Sequence, residues 1–163
     1  MKKYVSLVLF SLLSWAVCAK DFPKVILAGD YPDPTILRDG KDYYMTHSPF
    51  YYAPGFLIWH STDLIHWEPV CRALPEYEGS AMAPDLLKYQ GRYYIYYPTS
   101  TGENYVIYAD NIRGPWSKPV KLDVRGIDPG HVVGEDGKRY LFTNNGWITP
   151  LSNDGLKGTG KSR

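Results

Sequence analysis

The sequence lacks an excess of charge of either sign: 18 Lys and Arg face 17 Asp and Glu over 163 residues, a formal net charge of +1. A nucleic-acid binder typically carries a basic excess or stripe, so nucleic acid is not an expected partner. Cysteine is almost missing. Of the two, Cys18 lies in an amino-terminal apolar segment, and without that segment Cys71 stands alone. No intrachain disulfide is then available, folding rests on burial, and Cys71 reads as a small buried side chain. Long hydrophobic runs are missing too. The apolar stretch from Tyr4 to Val17 has about 14 residues, short of the roughly 20 needed to span a bilayer. His47, His60, His66 and His131 follow no zinc-type spacing and have no cysteine partner, so no metal site is expected. Finally, no segment keeps a helical period, and 13 prolines and 15 glycines recur too often for long helices.

What is present begins with Lys2 and Lys3, the apolar stretch, then Cys18-Ala19 before Lys20. That order reads as an export signal cleaved after Ala19. Residues 1–19 are therefore expected to be a signal peptide. Residues 20–163 form the mature domain, periplasmic or secreted, with no stable membrane insertion after cleavage. Acylation at Cys18 is disfavoured by Trp15 and Val17.

Three segments of the remainder align: "DPTILRDGKDYYMTHS" from Asp33, "APDLLKYQGRYYIYYPTS" from Ala83, and "DPGHVVGEDGKRYLFTNN" from Asp128. Their turn glycines, Gly40, Gly91 and Gly137, are 51 and 46 residues apart. Runs rich in Tyr, Ile and Val around such turns read as antiparallel hairpins. After the first two hairpins, "GFLIWHSTDLIHWEPV" and "NYVIYADNIRGPWSKPVKL" each offer two more strands ending near Trp67 and Trp116. Four-stranded units at this period are the signature of an all-β propeller, favoured by the repeat over a β-sandwich. The residues after the signal suffice for fewer than three blades, and the third copy is expected to stop after its first hairpin. The domain at 20–163 thus reads as a partial propeller truncated at its carboxyl end.

In a propeller the first strand of each blade lines the central channel. Asp33 and Asp128 open their repeats identically, each followed by proline, so the repeat would bring both to one mouth of that channel. A single Asp-Pro is ordinarily a strand-start or turn device. Two at equivalent positions point further, toward paired carboxylates for glycoside hydrolysis, one activating water while a protonated acid serves the leaving oxygen. In the second copy the acid follows the proline, as Pro84-Asp85, so Asp85 is expected to support the turn. Most of the 15 tyrosines read as strand and core residues.

The motifs "YPDPTILRDGKDYYM", "FYYAPGFLIWHSTDLIHWEPV", "MAPDLLKYQGRYYIYYPTS", "IRGPWSKPV" and "GIDPGHVVGEDGKRYLF" resemble the amino-terminal half of glycoside hydrolase family 43, over about residues 24 to 156. That resemblance implies a five-bladed propeller, here incomplete, and an inverting β-xylosidase or α-L-arabinofuranosidase acting on xylose- or arabinose-containing oligosaccharides and polysaccharides. Asp33 matches the general base. Asp128 matches the aspartate that orients the general acid and raises its pKa, as a neighbouring negative charge does. The general acid of the family is a glutamate in a later blade; Glu76, Glu78, Glu103 and Glu135 lie in other contexts, so it is absent from this chain. Phe50 corresponds to an aromatic of the substrate subsite. Met82 stands where many relatives carry tryptophan, so a stacking platform is lost there, and His131 is a further substrate-side candidate. No cofactor is implied, while some relatives hold a calcium ion in the channel.

The alternative reading is a catalytically silent fragment or carbohydrate-binding remnant lacking the glutamate. "GLKGTGKS", Gly155 to Ser162, formally satisfies a phosphate-loop pattern, but such a loop needs a strand before it and a helix after it, and only Arg163 follows.

Overall fold

The computed structural model describes residues 25–76 and 79–163; the expected signal peptide lies outside the described residues. Among the described residues eleven strands form three antiparallel sheets. The first runs β1 (Thr35–Asp39), β2 (Asp42–Thr46), β3 (Gly55–Ser61), β4 (Glu68–Leu74) in spatial order. The second repeats that order with β5 (Asp85–Tyr89), β6 (Arg92–Pro98), β7 (Asn104–Ala109) and β8 (Val120–Leu122). The third holds β9 (Gly130–Val133), β10 (Arg139–Thr143) and β11 (Trp147–Pro150). The first strands lie side by side, β1 touching β5 and β5 touching β9, as in consecutive propeller blades. Among the described residues the only helical turn is a short 3-10 segment, Asn144–Gly146.

The first two hairpins have two-residue loops of different chemistry. Gly40-Lys41 joins Asp39 to Asp42, and only the glycine has a left-handed φ, 66°. Gln90-Gly91 joins Tyr89 to Arg92 with both residues left-handed, at 49° and 85°, the geometry of a type I′ turn. The strands keep their register while the glycine moves by one place.

Two expectations need correction. The third copy does not stop after one hairpin: β11 pairs with β10, and the tail pairs with β11 through reciprocal Ile148 and Arg163 backbone hydrogen bonds of 2.9 and 3.0 Å. Trp67 and Trp116 do not end strands. They precede β4 and β8, and each indole N–H donates to a carbonyl of the preceding turn, Leu64 and Ile112, at 3.2 Å.

The middle sheet separates two cores. Along β6, Tyr93, Ile95 and Tyr97 join Phe56, Ile58, Leu74, Leu86 and Ile107 in the seam with the first sheet. Tyr94 and Tyr96, on the opposite face, join Val106, Leu122, Leu141 and Leu151 in the seam with the third. This period of two explains why β6 is buried on both faces while β1 alternates. On the far faces of the outer sheets, Ile36 and Leu64 are exposed on the first, and Val132 and Phe142 on the third.

Candidate active site at the blade entrances

Asp33, Ala83 and Asp128 each stand two residues before the first strand of a sheet, each followed by proline. All three have left-handed backbone, with φ of 52°, 35° and 56°. A residue with a Cβ adopts that region at a cost, so its recurrence in three blades marks a backbone device over-determined by its surroundings. The second blade keeps the device but carries a methyl group. Only the first and third present a carboxylate, and both Asp33 and Asp128 are exposed.

The end of each second strand holds these entrances. Ser48, buried, donates its N–H to Pro32 O at 2.9 Å and its hydroxyl to Asp33 Oδ2 at 2.5 Å, while Ala83 N–H donates to Ser48 Oγ at 2.6 Å. One hydroxyl therefore ties the first carboxylate to the second blade. In the third blade Asn144 takes the equivalent place: its N–H donates to Ile127 O at 2.8 Å and its Oδ1 accepts Ile127 N–H at 3.1 Å, immediately before Asp128. Gly126 permits this approach, since a Cβ there would meet Asn144 Oδ1 at 2.7 Å and Thr143 Oγ1 at 2.6 Å. Neither Ser48 nor Asn144 stands out in the sequence, because each acts on a residue 15 or more positions away.

Phe50 and Met82 fall on the stretch that joins the first two entrances. Phe50 N–H donates to Ala81 O and Met82 N–H to Pro98 O, both at 3.0 Å. Phe50 also lines a cleft of about 390 Å³ with Tyr31, His47, Ser48, Tyr52 and Arg72. His47, buried there, is held below its usual pKa by burial, and its Nε2 has no hydrogen-bond partner among the described residues.

His131 is drawn into the seam between the second and third sheets, away from the exposed entrance. Its ring stacks at 7° on Tyr96, and Nε2 accepts from Arg139 Nε at 2.9 Å. That bond requires a neutral imidazole, in keeping with a pKa pushed down to about 4 by burial and then by the Arg139 charge. Arg139 is buried and makes no salt bridge among the described residues. Its guanidinium lies 4.4 and 4.5 Å from the Tyr89 and Tyr94 ring centroids and donates to Tyr96 Oη and Asn153 O. Gly155 packs where a Cβ would collide with both Tyr96 Oη and Arg139.

Asp85 does not support its own turn. Its Oδ2 accepts the His131 N–H at 2.7 Å, across the seam, and burial pushes its carboxyl up to about 6. Cys71 is half-buried rather than buried, with its thiol donating to Ile112 O. Glu103 pairs with Lys121 and accepts from Tyr105, while Glu76 and Glu135 are exposed, so none of these joins the entrances; Glu78 lies outside the described residues. Among the described residues no three His, Cys, Asp or Glu side chains cluster as a metal ion would require of such ligands alone. In the stretch with the phosphate-loop pattern, Ser162 Oγ bonds Thr149 Oγ1 at 2.8 Å and accepts Arg125 N–H at 3.2 Å, which ties it to the third sheet.

Two four-stranded sheets and a three-stranded one, set side by side with aspartates at two of the three equivalent entrances, form part of a propeller. The model of the glycosyl hydrolases family 43 matches residues 22–163, and the chain belongs to that family. It is 38% identical over 128 residues to a xylosidase/arabinosidase of Butyrivibrio fibrisolvens, covering 71% of this chain and 25% of that protein. It is 32% identical over 162 residues to the non-reducing end alpha-L-arabinofuranosidase BoGH43B of Bacteroides ovatus, covering 88% and 30%. The crystal structure of the GH43 BlXynB protein from Bacillus licheniformis superposes with a TM-score of 0.77 at 32% identity, covering 87% of this chain and 32% of that one. The chain thus spans 25% to 32% of the length of these relatives.

Proposed function

We propose that this chain supplies the first blades, and two of the three carboxylates, of an inverting glycosidase that releases xylose or arabinose from xylan- or arabinan-type oligosaccharides and polysaccharides. The observation that carries the reading is the shared left-handed entrance, which bears Asp33 before β1 and Asp128 before β9 but Ala83 before β5. A backbone device kept in all three blades, with the carboxylate kept in two, separates the structural role of the entrance from a chemical one.

In this reading Asp33 is the general base. Ser48 donates to one of its oxygens, leaving the other to take a proton from the attacking water. Asp128 holds a negative charge beside the acid, which disfavours that acid's ionisation and keeps it protonated for the leaving oxygen. Phe50 and Met82 would contact the sugar, while His131 serves through the seam. The reaction requires no cofactor. Residues 1–19 would direct export to the periplasm or outside the cell.

The test is hydrolysis of aryl β-xylosides and α-L-arabinofuranosides by the protein that contains this chain. Asp33→Asn is expected to lower kcat about 10² to 10⁴-fold with little change in KM. Retention of wild-type kcat in that variant would sink the assignment. A second reading, sugar binding without turnover by residues 20–163 alone, is favoured by the placement of Glu76, Glu103 and Glu135 away from the entrances. Binding of xylose without release from aryl xylosides would support it.

A further inference from the structure

Among the described residues no strand of one sheet is laddered to a strand of another, so the position of one inner strand relative to the next rests on packing and a few cross-seam contacts. Two of these contacts are the same device. Thr35 opens β1, and its Oγ1 accepts the N–H of Leu86, the second residue of β5, at 3.3 Å. Asp85 opens β5, and its Oδ2 accepts the N–H of His131, the second residue of β9, at 2.7 Å. In each case the first side chain after the entrance proline grips the next blade one residue into its inner strand. The second clasp is the shorter and has a carboxylate acceptor, which makes it the stronger.

We propose that Asp85 is a positioning residue: by accepting the His131 N–H it fixes where β9 begins, and so where Asp128 stands relative to the rest of the entrance. The consequence for catalysis rests on the reading of Asp128 given above; the clasp itself does not. His131 is held at two points, its backbone by Asp85 and its ring by Arg139. Asp128 lies three residues upstream, separated from the clasp by the buried Pro129 and by Gly130. The Asp85 carboxyl meets the His131 N–H from the third sheet, and its charge acts on the Tyr96 hydroxyl from β6, while Arg139 is bonded to the His131 ring.

The experiment compares the whole protein with Asp85→Ala, Asp85→Asn and Asp85→Thr by amide hydrogen exchange and by NMR of residues 127–132. Asp85→Ala is expected to speed His131 exchange on the order of tenfold or more. It should also displace the signals of residues 127–132 while leaving the Leu86 amide as in wild type. Asp85→Asn keeps an acceptor oxygen and should restore protection, while losing the pH dependence that the carboxyl gives the His131 amide. Asp85→Thr transplants the first clasp and should give intermediate protection; with Asp85→Asn it decides the matter if the alanine variant does not fold. Unchanged His131 exchange in Asp85→Ala, or an asparagine variant as unprotected as the alanine one, overturns the proposal. With aryl glycosides, Asp85→Ala should lower kcat more than it raises KM, and asparagine should recover it. Loss of His131 protection in a protein whose wild type neither binds nor cleaves glycosides would overturn the functional reading and leave the clasp standing.

Discussion

The two seams on either side of the middle sheet join blades of the same topology by different chemistry. The first is apolar at its centre, with Phe56, Ile58, Ile95 and Ile107 fully buried and its ionic contact, Lys88 to Asp39, at the partly exposed far end of the strands. The second places a buried guanidinium among Tyr89, Tyr94 and Tyr96, bonded to a neutral histidine. Apolar packing is tolerant of small shifts because dispersion is non-directional, whereas a hydrogen-bonded network of planar groups has one satisfying arrangement. The seam that holds Asp128 is therefore the more exacting of the two, and the one whose groups titrate between about pH 4 and 6.

The sharpest way to break the comparison is to remove one large group from each seam. Phe56→Ala, which leaves a cavity in the first, should cost about 3–5 kcal/mol, the same at pH 5 and pH 8. Arg139→Met keeps most of the volume but leaves His131 Nε2 without its donor and takes one hydrogen bond from Tyr96 Oη, which still donates to Gly155 O. We expect a loss of about 2–3 kcal/mol, together with a rise in the His131 pKa once the neighbouring charge is gone. Urea unfolding gives the first quantity and NMR titration the second. If Arg139→Met were neutral in stability and left His131 unmoved, the second seam would be no more exacting than the first.

A subtler test uses two opposed titrations. Asp85 is raised from 3.8 to about 6, so the folded state binds extra protons in that interval and the associated stability is lost as pH rises through it. His131 is lowered from 6.5 to about 4, so the unfolded state binds more protons and stability is gained as pH rises over much the same range. In wild type the two slopes oppose each other. Relative to wild type, Asp85→Asn should steepen the gain in stability between about pH 4 and 6, whereas His131→Gln, which keeps an acceptor for Arg139, should turn it toward a loss. Variants that both shift the profile in the same direction would rule out this opposition.

The repeated Asp-Pro and Ala-Pro starts made the entrances legible in the sequence, because they mark the same backbone event in each copy. The strand order was legible for the same reason, through the period and the turns. The seams were not. Asp85 reads locally as a turn acid, and its partner His131 is 46 residues away, brought to it only by the stacking of blades. Arg139 reads as one more surface charge beside the Asp-Gly turn, since nothing in "EDGKRYLF" announces three tyrosines from the neighbouring sheet. Ser48 is equally silent: a serine between a histidine and a proline gives no sign of the carboxylate 15 residues earlier.

The smallest effect lies at the far end of the first seam. Lys88 Nζ and Tyr93 Oη both donate to Asp39 Oδ2, at 2.7 and 2.6 Å, and these two bonds, Lys88 first, hold the Asp39 carboxyl below its usual range. A depressed carboxyl contributes stability above its unfolded pKa that is lost as pH falls through the folded value. Because the pair is about one-third exposed, solvent and salt screen most of its attraction. Lys88→Met should therefore cost at most about 1 kcal/mol at low ionic strength, less in 1 M salt, and nothing once Asp39 is protonated. Tyr93 would keep its bond to Asp39 and its place in the apolar core, so the seam should stay closed. A loss as large as that of Arg139→Met, undiminished by salt, would mean that the first seam also depends on one fixed charge, and the contrast between the two would fail.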